Sequence, residues 1–186
     1  MTEKEKMQQG LLYNANYDTD LILERNKCKI ICFKFNNTPY EDIKIRQKIL
    51  KKLLGKTKNN FTIEPLFWCD YGYNIEIGEN FYSNHNLVIL DDAKVTFGDK
   101  VFIAPNCGFY TAGHPLNIEQ RNQGLEYAKP INVGNNVWFG ANVIVLPGVT
   151  IGDNCTIGAG SVVVKDIPAN SLAVGNPCKV IRQIEN

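Results

Sequence analysis

The chain of 186 residues carries 44% hydrophobic and 21% charged residues, ordinary values for a soluble domain and enough apolar material to bury one sizeable core. Its 20 basic and 19 acidic side chains leave a formal charge of +1, which gives nucleic acid or an anionic membrane no electrostatic hold on it. The opening MTEKEKMQQG is polar and no later run is long enough to cross a bilayer, so a cytoplasmic protein is expected, with no nucleic-acid or membrane partner.

Residues 1–57 read as a helical segment. An amphipathic stretch runs roughly from Asp20 to Phe35 and would place Cys28 and Cys32, four apart, on one side. Thr38-Pro39-Tyr40-Glu41 then reads as a helix start, with Thr38 as N-cap, Pro39 at the first helical position and Glu41 closing a capping box. Behind it Ile45, Ile49 and Leu53, flanked by Leu50 and Leu54, form one apolar stripe that Gly55 ends. Neither helix can bury its stripe alone, so both are predicted to pack on whatever follows. The six cysteines (Cys28, Cys32, Cys69, Cys107, Cys155, Cys178) contain no CxxC pair and the chain has two histidines, so they read as reduced core residues rather than as disulfides or metal ligands.

Residues 58–186 switch to short β-branched strands broken by Gly, Asn and Asp. Counting by six from Val133 meets Val133, Phe139, Val145, Ile151, Ile157 and Val163, all apolar, and four of the six following residues are Gly. Two places earlier stand Ile131, Val137, Val143, Val149, Cys155 and Ser161, small or apolar throughout. Phe97, Ile103 and Phe109 continue the phase upstream, whereas Ile75, Ile77, Phe81, Leu87 and Ile89 fall out of register with it. A strict period of six is too long for a helix turn and too regular for a hairpin array. It predicts a mainly β chain wound as a left-handed parallel β-helix, each side of a triangular prism one strand and one turn. Gly, Asn and Asp are expected at the corners because they tolerate left-handed backbone conformations.

Residues 111–130 interrupt the coil. The hexad count would put Arg121 in the apolar interior, so this segment must leave the prism, and because 109 to 133 is a whole number of periods it rejoins in phase. An insertion of this length in so regular a scaffold is expected to carry function. A tail, 168–186, closes the chain.

Four segments in order, GLLYNANYDTDLILER, YGYNIEIGENFYSNHNLVILDDA, APNCGFYTAGHPLNIEQRNQGLEYAKPI and GNPCKVIRQI, resemble the maltose, galactoside and nodulation-type O-acetyltransferases of the hexapeptide-repeat superfamily. The resemblance spans essentially the whole chain. It implies acetyl transfer from acetyl-CoA to a sugar hydroxyl by a homotrimer with active sites between subunits, with no metal required. It identifies His114, in TAGHP, as the base that takes the hydroxyl proton, a task suited to imidazole at neutral pH. Asn84 aligns beside the histidine and acyl group, and the backbone N–H of Ala141, next to Gly140, would stabilise the oxyanion. Asp70, Tyr82, Asp92 and Glu126 would bind the acceptor, Asp70 and Glu126 leaning towards the maltose-type branch. Coenzyme A would lie against Gly140, Ala159, Gly160, Val164 and Lys165, with Lys179 and Arg182 facing its phosphates and Trp138 lining the acyl tunnel or the trimer wall. His85 reads as a structural or rim residue. The competing readings are a hexapeptide transferase acting on an amino sugar, drug hydroxyl or amine, and a non-enzymatic coil. A prism-type zinc carbonic anhydrase would need three histidines, and the chain has two.

Overall fold

The structure is a computed structural model and describes residues 1–185. Most of it is a left-handed parallel β-helix whose chain visits three faces in turn. Face I stacks Phe67–Cys69, Leu87–Leu90, Gly108–Tyr110, Ile144–Val145 and Val162–Val163. Face II stacks Lys56–Thr57, Ile75–Ile77, Val95–Phe97, Ile131–Val133 and Thr150–Ile151. Face III stacks Phe61–Ile63, Phe81–Ser83, Phe102–Ile103, Trp138–Phe139, Thr156–Ile157 and Ser171–Val174, with Lys179–Gln183 added antiparallel at the far end. The two-residue alternation of each strand turns the hexad residues counted above towards the axis: Phe109, Phe139, Val145, Ile157 and Val163 are fully buried. Phe81, Phe97, Phe109 and Phe139 contact one another edge to face, with centroids 5.2, 4.9 and 5.1 Å apart, so an aromatic column runs up the interior from one face to the next.

The corners divide labour more sharply than composition suggests. Among the described residues, eight other than glycine have left-handed φ, and seven of them are Asn: 80, 86, 106, 136, 142, 154 and 170. Their amides also stack, as where Asn154 Nδ2 donates to Asn170 Oδ1 at 2.8 Å and Asn136 Nδ2 to Asn154 Oδ1 at 2.9 Å. The hexad glycines serve a different purpose. Gly140 has no positive φ, but a Cβ on it would lie 2.5 Å from the backbone nitrogen of Ala159 in the next coil. Asp at a corner accepts neighbouring backbone N–H groups, as Asp153 Oδ1 does from Asn135 at 2.6 Å.

Coil length explains the upstream loss of register. Ile151 lies 18 residues after its face-II partner Val133, but Phe97 lies 20 after Ile77. The added residues sit at the corner between faces I and II, in Asp70–Asn74 and again in Asp91–Lys94. The long insertion leaves from that same corner, since Val133 pairs with Phe97 and rejoins in phase.

Four helices among the described residues surround this prism. Helix α1 (Glu3–Gln8) begins with a complete capping box from Thr2. Helix α2 (Thr19–Asn36), capped by Asp18, buries Leu21, Cys28, Cys32 and Phe35. Its last residue, Asn36, bonds both backbone groups of Phe67 (2.9 and 2.8 Å), so it finishes the otherwise open edge of face I. Helix α3 starts at Ile43, not at Pro39: Thr38 turns its hydroxyl back onto the Lys34 carbonyl (2.7 Å) and closes α2, leaving Asp42 as the α3 N-cap without a side-chain bond. Helix α3 (Ile43–Leu53) buries Arg46, Leu50 and Leu53, while Ile45 faces solvent. The stripe is therefore rotated from the expected one, because Arg46 lays its guanidinium over the Phe35 ring (4.5 Å). Cys28, Cys32, Phe35, Leu50, Leu53 and Leu54 join one core with the first coils, so helices α2 and α3 cover the end of the prism. No helix among the described residues is long and apolar enough to cross a membrane.

Candidate active site

The insertion is an ordered hairpin. Ala112–Gly113 pairs with Leu125–Ala128, the short helix α4 (Ile118–Asn122, capped by Asn117) forms its tip, and Tyr13–Asn14 from the N-terminal segment adds a third antiparallel strand. The pairing brings Tyr13 opposite Glu126 and Asn14 opposite Leu125. A small second core of Met7, Tyr13, Ala15, Leu21, Tyr71 and Ala128 holds these pieces against the prism.

Between hairpin, helix α2 and the I/II corner lies a cavity of about 410 Å³, whose polar lining is Asn16, Arg25, Asp70, Asp92, His114 and Glu126. His114 is exposed at its mouth. Its Nδ1 lies 2.9 Å from the Leu125 carbonyl oxygen. A carbonyl can only accept, so the proton of the neutral ring resides on Nδ1 and Nε2 keeps a free lone pair. Glu126 Oε1 is 3.8 Å from Nε2.

The carboxylates are held in place by the longer corners. Asp91, fully buried, accepts the backbone N–H groups of Asp70 (3.0 Å) and Tyr71 (2.9 Å), and so binds one long corner to the next. Burial lifts its pKa to about 6 against those hydrogen bonds. Asp92 Oδ1 accepts the Tyr13 hydroxyl at 2.9 Å, and the same hydroxyl lies 3.3 Å from Glu126 Oε2. Burial raises Asp92 above the usual carboxylate range, opposed by the Tyr13 hydrogen bond. Asp70 is pushed up to about 7, first by burial and then by the charges of Asp92 and Asp91, with Arg25 pulling the other way. Arg25 donates to the Tyr71 hydroxyl (2.8 Å) and to the Ala15 carbonyl.

Of the residues singled out in the sequence, Asp70, Asp92, His114 and Glu126 therefore come together. Tyr82 and Asn84 do not join them: Tyr82 is the outward residue of its strand on face III, and Asn84 follows it at the III/I corner. Gly140, Ala141, Ala159 and Gly160 form a column on that same III/I corner, where the Gly160 N–H donates to the Ala141 carbonyl (2.8 Å). Trp138 is exposed on face III and aligned with Phe102, itself in register with Tyr82, so three outward aromatics stack on one face. Val164 and Lys165 lie exposed at the I/II corner of a later coil, and Lys179 and Arg182 on the terminal strand. His85 is at the III/I corner with its ring against the Pro65 carbonyl, away from the cavity. Sequence reasoning missed Tyr13, Asn16, Arg25 and Asp91. The first three reach the site only through the packing of distant segments, but Asp91 was signalled by the two-residue break in the hexads.

Residues 6–58 match the maltose acetyltransferase hexapeptide capping motif, and residues 130–165 match the bacterial transferase hexapeptide in six repeats. A putative acetyltransferase of Saccharomyces cerevisiae is 57% identical over 175 residues, which are 94% of this chain and 89% of that protein. The crystal structure of a maltose O-acetyltransferase from Clostridium difficile 630 superposes with a TM-score of 0.96 at 51% identity, covering 100% of this chain and 99% of the other. A galactoside acetyltransferase in complex with coenzyme A superposes equally well, TM-score 0.96 at 44% identity, covering 100% and 92%.

Proposed function

The chain belongs to the maltose- and galactoside-type acetyltransferases of the hexapeptide-repeat superfamily, and on that premise we propose that it moves an acetyl group from acetyl-CoA to a sugar hydroxyl, with His114 as general base. The observation that carries this reading is the tautomer fixed by Leu125, which leaves Nε2 unprotonated at the mouth of a carboxylate-lined cavity. A hydroxyl placed there gives its proton to Nε2 as its oxygen attacks the thioester carbonyl. The oxyanion is met by the Ala141 N–H. When the C–S bond breaks, the imidazolium returns the proton to the departing thiolate of coenzyme A. Asp70, Asp92 and Glu126 accept from the other sugar hydroxyls, because each carboxylate oxygen can take more than one donor. A maltose- or glucose-type acceptor fits this set.

Acceptor and donor residues occupy different corners of the prism, so one chain supplies two half-sites. We place coenzyme A along the III/I column of Gly140, Ala141, Ala159 and Gly160, where the missing Cβ of Gly140 lets coils approach closely. Side-by-side packing of prisms would bring His114 of one chain to the Asn84 and Ala141 corner of the next. The outward aromatics Tyr82, Phe102 and Trp138 support a homotrimer closed through that wall. An acetyl-CoA donor supports a cytoplasmic reaction. An amino sugar is the second acceptor class, favoured by three carboxylates facing one guanidinium in the cavity.

Release of free coenzyme A thiol from acetyl-CoA, measured across maltose, glucose, glucosamine and β-galactosides, tests the proposal. Sugar-dependent release is expected, and His114→Ala should lower kcat by roughly 10²–10⁴-fold. Release that no sugar stimulates refutes the substrate class, and a fully active His114→Ala refutes the base while leaving the family intact.

A further inference from the structure

Three of the six cysteines converge beside the acceptor cavity although acetyl transfer has no use for them. Cys28 and Cys32 project from consecutive turns of helix α2, and Cys69 ends the face-I strand immediately before Asp70. Their sulfurs are 3.5 Å (Cys28–Cys69), 3.8 Å (Cys32–Cys69) and 4.0 Å (Cys28–Cys32) apart. All three residues are at most 4% exposed. Cys28 also directs its sulfur to the Cys69 carbonyl at 3.3 Å, but Cys107 and Cys155 of the later coils have backbone carbonyls alone as partners, Gly140 at 3.3 Å and Pro168 at 3.1 Å, with no second sulfur beside them.

We infer that Cys28, Cys32 and Cys69 form a three-coordinate binding site for a soft monovalent cation of the copper(I) type. The point equidistant from the three sulfurs lies about 2.2 Å from each, close to the roughly 2.3 Å of a metal–thiolate bond. The ligands need only rotate slightly to coordinate. Ligand chemistry selects the ion. Sulfur-only coordination favours soft ions over calcium or magnesium, which take oxygen. A structural zinc ion requires four ligands, and no fourth His, Cys, Asp or Glu atom joins the cluster among the described residues. Water cannot complete the shell, because the site is closed to solvent.

Charge points the same way. The nearby Asp91 carboxylate is itself buried, so the site tolerates little further negative charge. A monovalent ion held by one thiolate and two thiols leaves the site neutral, the thiolate balancing the cation while the thiols donate lone pairs. A divalent ion would need a second thiolate in the same closed site to reach neutrality. Binding would tie helix α2 to the strand that carries Asp70, without altering the chemistry at His114.

The test uses the whole protein, fully reduced and without oxygen, mixed with copper(I) bicinchoninate. Withdrawal of copper is read from the loss of the chelate's colour, both for native protein and for protein refolded with the complex present, so that burial of the thiols does not decide the outcome. Expected are one equivalent withdrawn per chain and a raised melting temperature. Zinc offered from a chelating dye should stay with the dye. Cys32→Ala should lose the equivalent while keeping the far-ultraviolet circular dichroism of the parent, and Cys107→Ala should keep it. Failure of both native and refolded protein to withdraw copper overturns the inference, as does equal withdrawal by Cys32→Ala. Neither result bears on the sugar-dependent release of coenzyme A.

Discussion

Replacing Asp70 by Asn should stabilise the protein at neutral and alkaline pH and do little in acid. The Asp70 carboxyl sits in a partly closed cavity beside Asp91 and Asp92, and its pKa is raised from 3.8 to about 7. The native state therefore keeps a proton that the unfolded chain has lost above its ordinary value. Its favourable contribution is complete below about pH 4 and drains away as pH rises through 7. A rise of that size corresponds to roughly 4 kcal/mol. The cavity opens to water, whose screening reduces this to about 2 kcal/mol. Asn keeps the shape of the neutral acid and carries no charge to bury. At pH 8 the variant should gain the full amount, roughly 4–8 °C in Tm for a chain of this length. At pH 5 native Asp70 is still mostly protonated, and the gain should fall to about 1 kcal/mol. Thermal unfolding at pH 5 and 8, at matched ionic strength and protomer concentration, measures both values. A gain that is flat with pH, or larger at pH 5, would show that burial and the neighbouring charges do not hold the Asp70 carboxyl above its ordinary range. The same variant should bind its acceptor less tightly, so stability and KM should rise together.

Substitutions at two further positions probe the scaffold. Phe109→Ala removes the centre of the aromatic column, a fully buried ring touching both Phe97 and Phe139, and should destabilise by about 3–5 kcal/mol in denaturant unfolding. Asn154→Ala forces a Cβ residue without a local hydrogen-bonding side chain to hold φ of 58° and breaks two amide contacts, and should cost about 2 kcal/mol. Asn154→Gly keeps the φ and should recover about half of that loss. Equal costs for Ala and Gly would assign the whole effect to the amide stack.

The prism is legible in the sequence because its periodicity is dictated by geometry. An inward apolar residue every six positions, with small or apolar residues two places earlier, has few other solutions, and residues 131–164 follow the rule without exception. The corners are legible in composition but less so in cause: Asn supplies the left-handed conformations, while Gly140 is required by the closeness of the next coil. Helix α3 begins later than expected because Thr38-Pro39 carries a start signal that a competing bond overrides. The Thr38 hydroxyl is within reach of the Lys34 carbonyl, and closing α2 uses it. The stripe of α3 gives no hint of Arg46, because a charge rarely points inward, yet a guanidinium stacked on Phe35 satisfies burial without an acid partner. The four cavity residues Asp70, Asp92, His114 and Glu126 can be named from family likeness. Their neighbours Tyr13, Asn16 and Arg25 cannot, since helical periodicity says nothing about which distant hairpin a segment will pair with.

That pairing gives the N-terminal segment a chemical consequence. A stack of coils is stiff, because each strand is bonded above and below, but a hairpin leaving one corner has, beyond its own pairing, only the small second core around Ala128 to steady it. Tyr13–Asn14 supplies the missing edge strand, with Asn14 opposite Leu125 and Tyr13 opposite Glu126. Leu125 is the residue whose carbonyl holds the Nδ1 proton of His114, and Glu126 is the acid nearest Nε2. Tyr13 then extends the restraint to the prism through its hydroxyl bond to Asp92. Both the tautomer of His114 and the position of two carboxylates are thus tied to a two-residue strand that lies outside every repeat. The hexads supply a rigid wall, the longer I/II corners supply Asp70, Asp91 and Asp92, and the N-terminal strand pairs with the hairpin strand that carries Leu125 and Glu126.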